Sequence, residues 1–268
     1  MARAIERRFK ELGEAGKKAF IPFIMAGDPH LEGTIRLVPE LERAGSSIVE
    51  LGIPFSDPVA DGPAIQRAGA RALSRGYRLA DYLSAIREIR KISSVPIILF
   101  SYFNPLLQYG LDNLARNARL AGVDGILVTD MIPEESDEYR ASLEKSELDP
   151  IFLAAPTSSR ERIRRIAQCS RGFVYVVSRA GVTGTQEALS ETILPTIARV
   201  REFTSLPIAV GFGISRPDHV KAVWNIADGA VVGSAIVEQI EKAANSDDLA
   251  RRTGDFCRWL TGGIHAQS

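Results

Sequence analysis

The sequence predicts an α/β fold, a single (β/α)8 TIM barrel, from three observations. Eight short runs of mostly apolar residues recur along the 268-residue chain, as in parallel strands that helices cover on both faces. Segments with apolar residues at helical spacing separate the runs, and this alternation indicates parallel β/α architecture. The length is also close to the roughly 250 residues typical of one such barrel. We therefore predict one domain that spans residues 1–268.

The predicted strands are short and end in polar or glycine-rich sequence. Eight of them favour the closed barrel over an open, doubly wound sheet. In chain order they are residues 20–26, 47–53, 96–102, 125–129, 150–154, 173–178, 207–211 and 229–233.

Two additions to the ideal barrel pattern are expected. Residues 1–18 contain Ile5, Phe9 and Leu12 at helical spacing, which predicts an N-terminal helix that caps the bottom of the barrel. Two helical segments, about 63–75 and 79–91, separate the second and third strands, so an extra helix follows strand 2. Residues 262–268 carry no such pattern, and we expect a flexible tail there.

Composition argues against several classes of protein. Lys+Arg and Asp+Glu both number 33, so the chain lacks the basic surplus of a nucleic-acid-binding protein. The longest apolar run, residues 20–26, is far too short to span a membrane, and we expect no secretory signal. The two cysteines, Cys169 and Cys257, cannot form a disulfide framework and are interpreted as small apolar side chains in a reducing compartment. A cytoplasmic enzyme is predicted.

Active sites of this fold lie at the C-terminal ends of the strands, and the residue types found there limit the chemistry. None of the lysines falls at such an end, which argues against a Schiff-base aldolase. Among the histidines only His30 lies on that face, so a histidine-ligated metal site is not predicted. The nucleotide-binding glycine motifs are also absent from the sequence. Acid–base chemistry by carboxylates on a small ligand remains.

Glu50 is the most unusual carboxylate, because it interrupts an otherwise apolar strand. A buried glutamate is rare unless it is paired or functional. Apolar surroundings raise the pKa of such a group toward neutral pH, which suits a proton shuttle, and a buried ion pair with an arginine is the alternative. Asp57 and Asp61 are each as consistent with a turn or a helix start as with catalysis. Asp130 is interpreted as stabilising the start of the helix that follows it.

Phosphate is the ligand that the glycine pattern favours. Strand 7 ends in Gly211-Phe212-Gly213-Ile214, and strand 8 ends in Gly233-Ser234 before a predicted helix over 235–243. Glycines let backbone N–H groups approach an anion, and a helix N-terminus is electropositive. These two loops bind phosphate in many barrels, although the same glycines also suit tight turns. Residues 181–185 are consistent with a mobile lid or with an ordinary loop.

Four motifs together resemble the family of tryptophan synthase alpha subunits. The most specific is Glu50-Leu51-Gly52-Ile53-Pro54-Phe55-Ser56-Asp57-Pro58-Val59-Ala60-Asp61-Gly62-Pro63, which resembles the second-loop signature of that family. Tyr102-Phe103-Asn104-Pro105 and residues 178–184 and 210–214 are similar to its strand-3 exit, its lid and its phosphate loop. The resemblance is collinear over about residues 20–237.

The resemblance implies a retro-aldol cleavage of indole-3-glycerol phosphate to indole and glyceraldehyde 3-phosphate. It assigns the acid–base roles to Glu50 and Asp61. Glu50 would move a proton between the substrate 3′-hydroxyl and indole C3, while Asp61 would accept a hydrogen bond from the ring N–H. No cofactor is implied for this chain. The positions that match substrate-binding residues are Phe23, Phe100, Leu127, Tyr175, Thr183, Gly184, Gly213, Gly233 and Ser234.

The resemblance also implies a partner, the tryptophan synthase beta subunit, which uses pyridoxal phosphate to join indole to serine. An α2β2 assembly is expected, with Asp57, Asn104 and Pro105 facing the partner. Three other interpretations stay open: a stand-alone lyase that releases free indole, a weakly active regulatory subunit, and another barrel isomerase. Intact Glu50 and Asp61 disfavour the second, and the lack of a lysine or cysteine on the catalytic face disfavours the third.

Overall fold

The computed structural model describes residues 2–177, 186–211 and 213–263, and of residues 186–192 only the course of the backbone. The strands are β1 Ala19–Met25, β2 Val49–Gly52, β3 Ile97–Ser101, β4 Gly125–Val128, β5 Asp149–Ile151, β6 Leu153–Ala154, β7 Val174–Val177, β8 Ile208–Gly211 and β9 Gly229–Val232. The helices are α1 Ala4–Glu14, α2 Leu31–Arg43, α3 Pro63–Leu73, α4 Leu79–Arg90, α5 Phe103–Tyr109, α6 Leu111–Ala121, α7 Asp137–Lys145, α8 Arg160–Cys169, α9 Gln186–Arg201, α10 Pro217–Ile226, α11 Ser234–Ala243 and α12 Leu249–Thr261.

The strands close a parallel barrel, as the sequence predicts. Pairing follows the order β5-β4-β3-β2-β1-β9-β8-β7-β6, so the first and last strands of the chain lie side by side. The ends of this order, β5 and β6, are consecutive in the chain and only Phe152 separates them. The N–H of Tyr175 donates to the carbonyl of Phe152 at 3.2 Å, which completes the ring.

One predicted strand differs from the prediction. Residues 150–154 form two short strands rather than one, because β5 pairs with β4 on one side while β6 pairs with β7 on the other. The other predicted strands overlap strands of the structure, and the two helical segments after strand 2 are α3 and α4. The helix predicted over 235–243 begins one residue earlier, at Ser234.

Side chains of the strands alternate between two cores. Ile21 of β1 points into the barrel and packs with Ile48, Ile98 and Val231, whereas its neighbour Phe20 belongs to the outer core between strands and helices. This period of two is the ordinary geometry of a strand. Apolar runs were therefore the correct signal for strands that are buried on both faces.

Helix α1 closes the end of the barrel opposite the C-terminal ends of the strands, as predicted. Ile5 is fully buried and packs with Phe9 in the inner core. The ring of Phe9 lies 5.6 Å from that of Phe173, which directly precedes β7. Arg3 donates to Asp149 at the start of β5 at 2.9 Å. Among the residues described, no helix combines the length and the apolarity that crossing a bilayer requires.

The packing of α1 predicts that Ile5→Ala destabilises the barrel. Removing a fully buried isoleucine side chain typically costs about 2–5 kcal/mol, and Ile5 is the most deeply buried apolar residue of α1. The free energy of unfolding in urea measures the loss. Lys10→Ala on the same helix is the control, since the Lys10 side chain is 73% exposed. Equal effects of the two substitutions would show that α1 does not support the barrel through Ile5.

Candidate active site

A cavity of about 540 Å³ opens at the C-terminal ends of the strands. Its lining includes most of the residues that the sequence predicts for the site. They are Phe23, Glu50, Asp61, Phe100, Tyr175, Gly213, Gly233 and Ser234. Thr183 and Gly184, and the lid predicted over 181–185, lie outside the described residues. Leu127 is fully buried in the inner core of the barrel and is not among the lining residues.

Glu50 lies in the middle of the apolar barrel wall. Strand β2 sets its position, opposite Phe23 on β1 and Ile98 on β3. The residue is fully buried, and neither carboxylate oxygen has a hydrogen-bond partner among the described residues. Burial raises the pKa of Glu50 to about 8, because the charged form loses its hydration without compensation. No arginine of the described chain pairs with it, which removes the ion-pair alternative.

Asp61 reaches the same cavity from the loop between β2 and α3. Gly62 is the N-cap of α3 and Pro63 occupies its first turn, so Asp61 precedes the helix rather than capping it. Burial raises the pKa of Asp61 to about 6, and a hydrogen bond from Tyr102 partly opposes this. The pKa of Glu50 is therefore about two units above that of Asp61. Glu50 is fully buried in its strand, whereas Asp61 is less buried and accepts a hydrogen bond from the phenol of Tyr102.

Tyr102 is a site residue that the sequence did not identify as one. Its side chain is almost fully buried, and its hydroxyl oxygen accepts the N–H of Ala60 at 2.9 Å while it donates to Asp61. Its ring lies 5.1 Å from that of Phe55. Tyr102 thus contacts the loop at Phe55 and again at the adjacent residues Ala60 and Asp61. The available signal was its position directly after β3, where barrel enzymes place functional side chains.

Aromatic rings form the apolar part of the cavity. Phe23 and Phe100 meet edge to face, with ring centroids 5.2 Å apart. Tyr175 lies against Gly211, where a Cβ atom would be 2.0 Å from the phenol oxygen. Any side chain at position 211 would therefore displace Tyr175. Apolar residues that line the cavity and were not predicted include Ile65, Leu153 and Val177.

The opposite part of the cavity is suited to an anion. Helix α11 begins at Ser234, and the carbonyl of Gly233 accepts the N–H groups of Ile236 and Val237. The N–H groups of Ser234 and Ala235 at the helix N-terminus are the ones suited to a ligand. Gly213 lines the same cavity and has φ +54°, a left-handed conformation that favours glycine. Apart from its chain neighbours, no described residue lies within 4 Å of the place where its Cβ would be. Glu238, one turn along α11, also lines the cavity and was not predicted.

Other polar residues at the strand ends have structural roles. The Nδ1 atom of His30 accepts the N–H of Gly33 at 2.9 Å and so caps α2. Asp130 accepts the N–H of Phe103 at 2.7 Å. Asp130 therefore stabilises the start of α5, a helix that precedes it in the chain. The prediction that Asp130 stabilises the helix that follows it is wrong. Within the described chain, no cluster of metal-ligating side chains is found.

The residues predicted to face a partner lie on neighbouring segments at the rim. Asp57 and Asn104 are exposed, and Pro105 is half-buried. Two apolar side chains on the same loop and on α5 are exposed to solvent, Val59 by 78% and Leu107 by 51%. The bond from Ala60 to Tyr102 joins the two segments.

Comparison with known proteins gives one consistent result. A family model described as tryptophan synthase alpha chain matches residues 9–260. The chain is 49% identical to the tryptophan synthase alpha chain of Solibacter usitatus, covering 98% of this chain and 99% of that one. Against the alpha chain of Geobacter sulfurreducens the identity is 46%, with 96% and 97% covered.

Solved structures agree. Tryptophan synthase subunit alpha from Legionella pneumophila superposes with a TM-score of 0.91 at 37% identity, covering 98% of this chain and 99% of that one. The aminoacrylate-bound form of tryptophan synthase from M. tuberculosis superposes with a TM-score of 0.87 at 31% identity, covering 98% and 100%.

The burial of Glu50 predicts a specific dependence of stability on pH. Its pKa is 4.5 for an unperturbed glutamate and about 8 in the fold, so between these values the folded chain holds a proton that the unfolded chain has lost. The free energy of unfolding must then fall as pH rises through this window. Glu50→Gln does not titrate and should escape this loss.

Urea denaturation of parent and Glu50→Gln at about pH 5.5 and about pH 8.5 tests this. We expect the variant to gain about 3 kcal/mol on the parent between the two conditions. Glu88→Gln is the control, since Glu88 is exposed and pairs only with Lys91. A stability difference between parent and Glu50→Gln that is the same at both pH values would contradict the raised pKa.

Proposed function

We propose, since the chain belongs to the tryptophan synthase alpha chain family and is an indole-3-glycerol-phosphate lyase, that Glu50 and Asp61 are its acid–base pair. The reaction is the retro-aldol cleavage of indole-3-glycerol phosphate to indole and glyceraldehyde 3-phosphate. The observation that carries the proposal is the fully buried carboxyl group of Glu50 on the wall of the cavity that Asp61 also lines. No residue in the described part of the chain forms a hydrogen bond with that group.

Glu50 is suited to move a proton within the substrate. With a pKa of about 8 it is protonated at neutral pH, so it can donate to indole C3 and make the ring a competent leaving group. The resulting carboxylate then takes the proton of the 3′-hydroxyl as the C–C bond breaks and the aldehyde forms. The proton returns to Glu50, and no net charge is left behind. General acid–base steps of this kind work best when the pKa lies near the working pH.

Asp61 is suited to the complementary role. Its pKa of about 6 leaves it ionised at neutral pH, so it can accept a hydrogen bond from the indole N–H. Protonation of C3 places positive charge on that nitrogen, and a carboxylate stabilises the charge as it develops. Two carboxyl groups whose surroundings separate their pKa values divide the acid and base roles between them.

The rest of the cavity matches the two ends of the substrate. The rings of Phe23 and Phe100 supply an apolar slot for the indole ring. Tyr175 lines the same cavity. Gly213, Gly233 and Ser234 supply backbone N–H groups for the phosphate. Thr183 and Gly184 are assigned to the substrate by the family resemblance alone. Leu127 can act only from behind the wall, since it lies in the inner core.

The partner proposed for this chain is the tryptophan synthase beta subunit, in an α2β2 assembly in the cytoplasm. Pyridoxal phosphate resides in the beta subunit of this family. The face around Asp57, Asn104 and Pro105 is the proposed contact, and the exposed Val59 and Leu107 beside it support this. Exposed apolar side chains on one face are a common mark of a protein–protein contact.

Replacing either carboxyl group should nearly abolish cleavage. Glu50→Gln and Asp61→Asn are each expected to lower kcat about 10²–10⁴-fold, the usual loss when a group that transfers a proton or stabilises developing charge is removed. The parent should show a bell-shaped kcat/KM profile. Activity falls below about pH 6 as Asp61 becomes protonated, and above about pH 8 as Glu50 loses its proton. Indole release measures both, and Glu88→Gln should match the parent. Turnover of either variant within a few-fold of the parent would refute that residue's role.

Asp57→Ala should reduce stimulation by the partner without slowing the isolated chain. Asp57 lies four residues before Asp61 on one loop, so a partner that binds Asp57 also biases the position of Asp61. Stimulation then reflects the fraction of chains with the loop in its productive position. Indole release is measured with and without beta subunit, and Asp137→Ala, whose side chain is 92% exposed on α7, is the control. Full stimulation of Asp57→Ala at saturating partner would show that Asp57 does not carry the effect.

A further inference from the structure

Arg71 of α3 connects that helix to the loop after β1 and to α11, and it does not itself line the cavity. Its guanidinium forms two bonds of 2.8 Å to the carboxylate of Asp28, in the loop after β1. Its third nitrogen donates to Glu241 of α11 at 2.6 Å. Asp28 is 2% exposed, so Arg71 pairs with a buried carboxylate. One side chain of α3 thus connects the β1 loop to the helix that begins at the anion end of the cavity.

Helix α11 presents the cavity and the arginine on one side. Ser234, Glu238 and Glu241 follow one another at a spacing of four and then three residues, which places them along a single face of a helix. Ser234 and Glu238 line the cavity. Glu241 accepts from Arg67 as well as from Arg71, and these bonds, that from Arg67 foremost, lower the pKa of Glu241 to about 2. Glu241, about two turns from the N-terminus of α11, therefore ties that helix to α3.

Helix α3 in turn determines where the Asp61 loop ends. Its N-cap, Gly62, is the residue after Asp61. The buried face of α3 consists of Ala64, Ala68, Gly69 and Ala72. Such small side chains interlock weakly with their neighbours, so shape alone resists a slide of the helix poorly. Arg67 and Arg71, one turn apart on the same side, supply the directional bonds.

The first turn of α3 also contacts the start of α11. A Cβ atom placed on Gly233 would lie 3.7 Å from Cδ1 of Ile65, and Ile65 lines the cavity. The two helices thus meet at the anion end and are tied again two turns further along by Glu241. A shift of α11 at its N-terminus is transmitted to α3, and through α3 to the residue that precedes it.

We propose that Arg71 is a positioning residue that couples phosphate binding at α11 to the placement of Asp61. Phosphate bound at the N-terminus of α11 holds that helix, the Glu241–Arg71 bond holds α3 against it, and α3 holds the end of the Asp61 loop. Binding energy from the non-reacting phosphate is thereby used at the reacting ring, which raises kcat rather than affinity. The inference rests on the proposed function, since it takes Asp61 as a catalytic residue.

The test separates the phosphate from the rest of the substrate. The purified chain is given indole-3-glycerol, which lacks the phosphate, with and without inorganic phosphite. We expect phosphite to accelerate indole release by the parent about 5- to 150-fold, the range of typical couplings between sites. Glu241→Gln should lose most of this activation, and its kcat for indole-3-glycerol phosphate should fall at least about fivefold. Inhibition by glycerol 3-phosphate should stay within about twofold of the parent, because the α11 N-terminus is intact.

Further variants keep the result interpretable. Arg71→Lys retains the charge but lacks the fork that binds Asp28 and Glu241 together, and it should lose activation as Glu241→Gln does. Arg164→Gln is the control, since Arg164 pairs with Glu161 on the distant helix α8, and it should behave as the parent. Thermal unfolding of each variant confirms that it is folded.

Three results would overturn the coupling. They are a parent that phosphite does not activate, a Glu241→Gln that phosphite activates as fully as it does the parent, and an equal loss in Arg164→Gln. A fourth result would also overturn it. If glycerol 3-phosphate inhibits Glu241→Gln more weakly than the parent while saturating phosphite still activates that variant fully, Glu241 serves binding only. Asp61→Asn is run beside these. Parent-like turnover of that variant would overturn the proposed function itself, whereas an inactive Asp61→Asn with an unaffected Glu241→Gln would overturn the coupling alone.

Discussion

A carboxyl group buried without a hydrogen bond is the constraint on which the site depends. Water would restore an ordinary pKa to Glu50, so the strands and rings around it must exclude solvent. The apolar side chains of the inner core beneath the cavity exclude water from one side of Glu50, and Ile98 lies beside it on the next strand. Phe23, opposite Glu50 on β1, provides part of the wall. A rigid, apolar barrel is therefore a chemical requirement of this residue as well as the basis of stability.

The second carboxyl group of the cavity, that of Asp61, has different surroundings. Asp61 lies on a loop at the rim, and the phenol of Tyr102 donates to it and fixes the adjacent Ala60. Partial exposure and that bond keep its pKa about two units below that of Glu50. The barrel thus fixes Glu50 within strand β2, whereas the position of Asp61 depends on the contacts that its loop makes with neighbouring residues. Helices α3 and α11, which connect the loop to the anion end of the cavity, are the natural route for such dependence.

Local pattern in the sequence was sufficient for the fold and for the outline of the site. Apolar runs that alternate with helical spacing predicted the barrel, because strands covered on both faces have no polar side. Glu50 stood out because a charge in such a run needs an explanation. The glycines before α11, and the segment from Glu50 to Pro63, pointed to an anion and to the family. These are properties of residues close together in the chain, which a sequence displays directly.

Contacts between distant residues were decided only by the tertiary structure. It showed that no described arginine neutralises Glu50, that Tyr102 holds Asp61, and that Leu127 lies in the inner core rather than on the cavity wall. It also brought Arg71 to Asp28 and Glu241, which lie 43 and 170 residues away in the chain. Periodicity establishes which side of a strand or helix is apolar, but not which other element that side meets. The raised pKa of Glu50 and the placement of Asp61 follow from those contacts, so the sequence by itself determined which residues are candidates for the chemistry, and packing determined their surroundings.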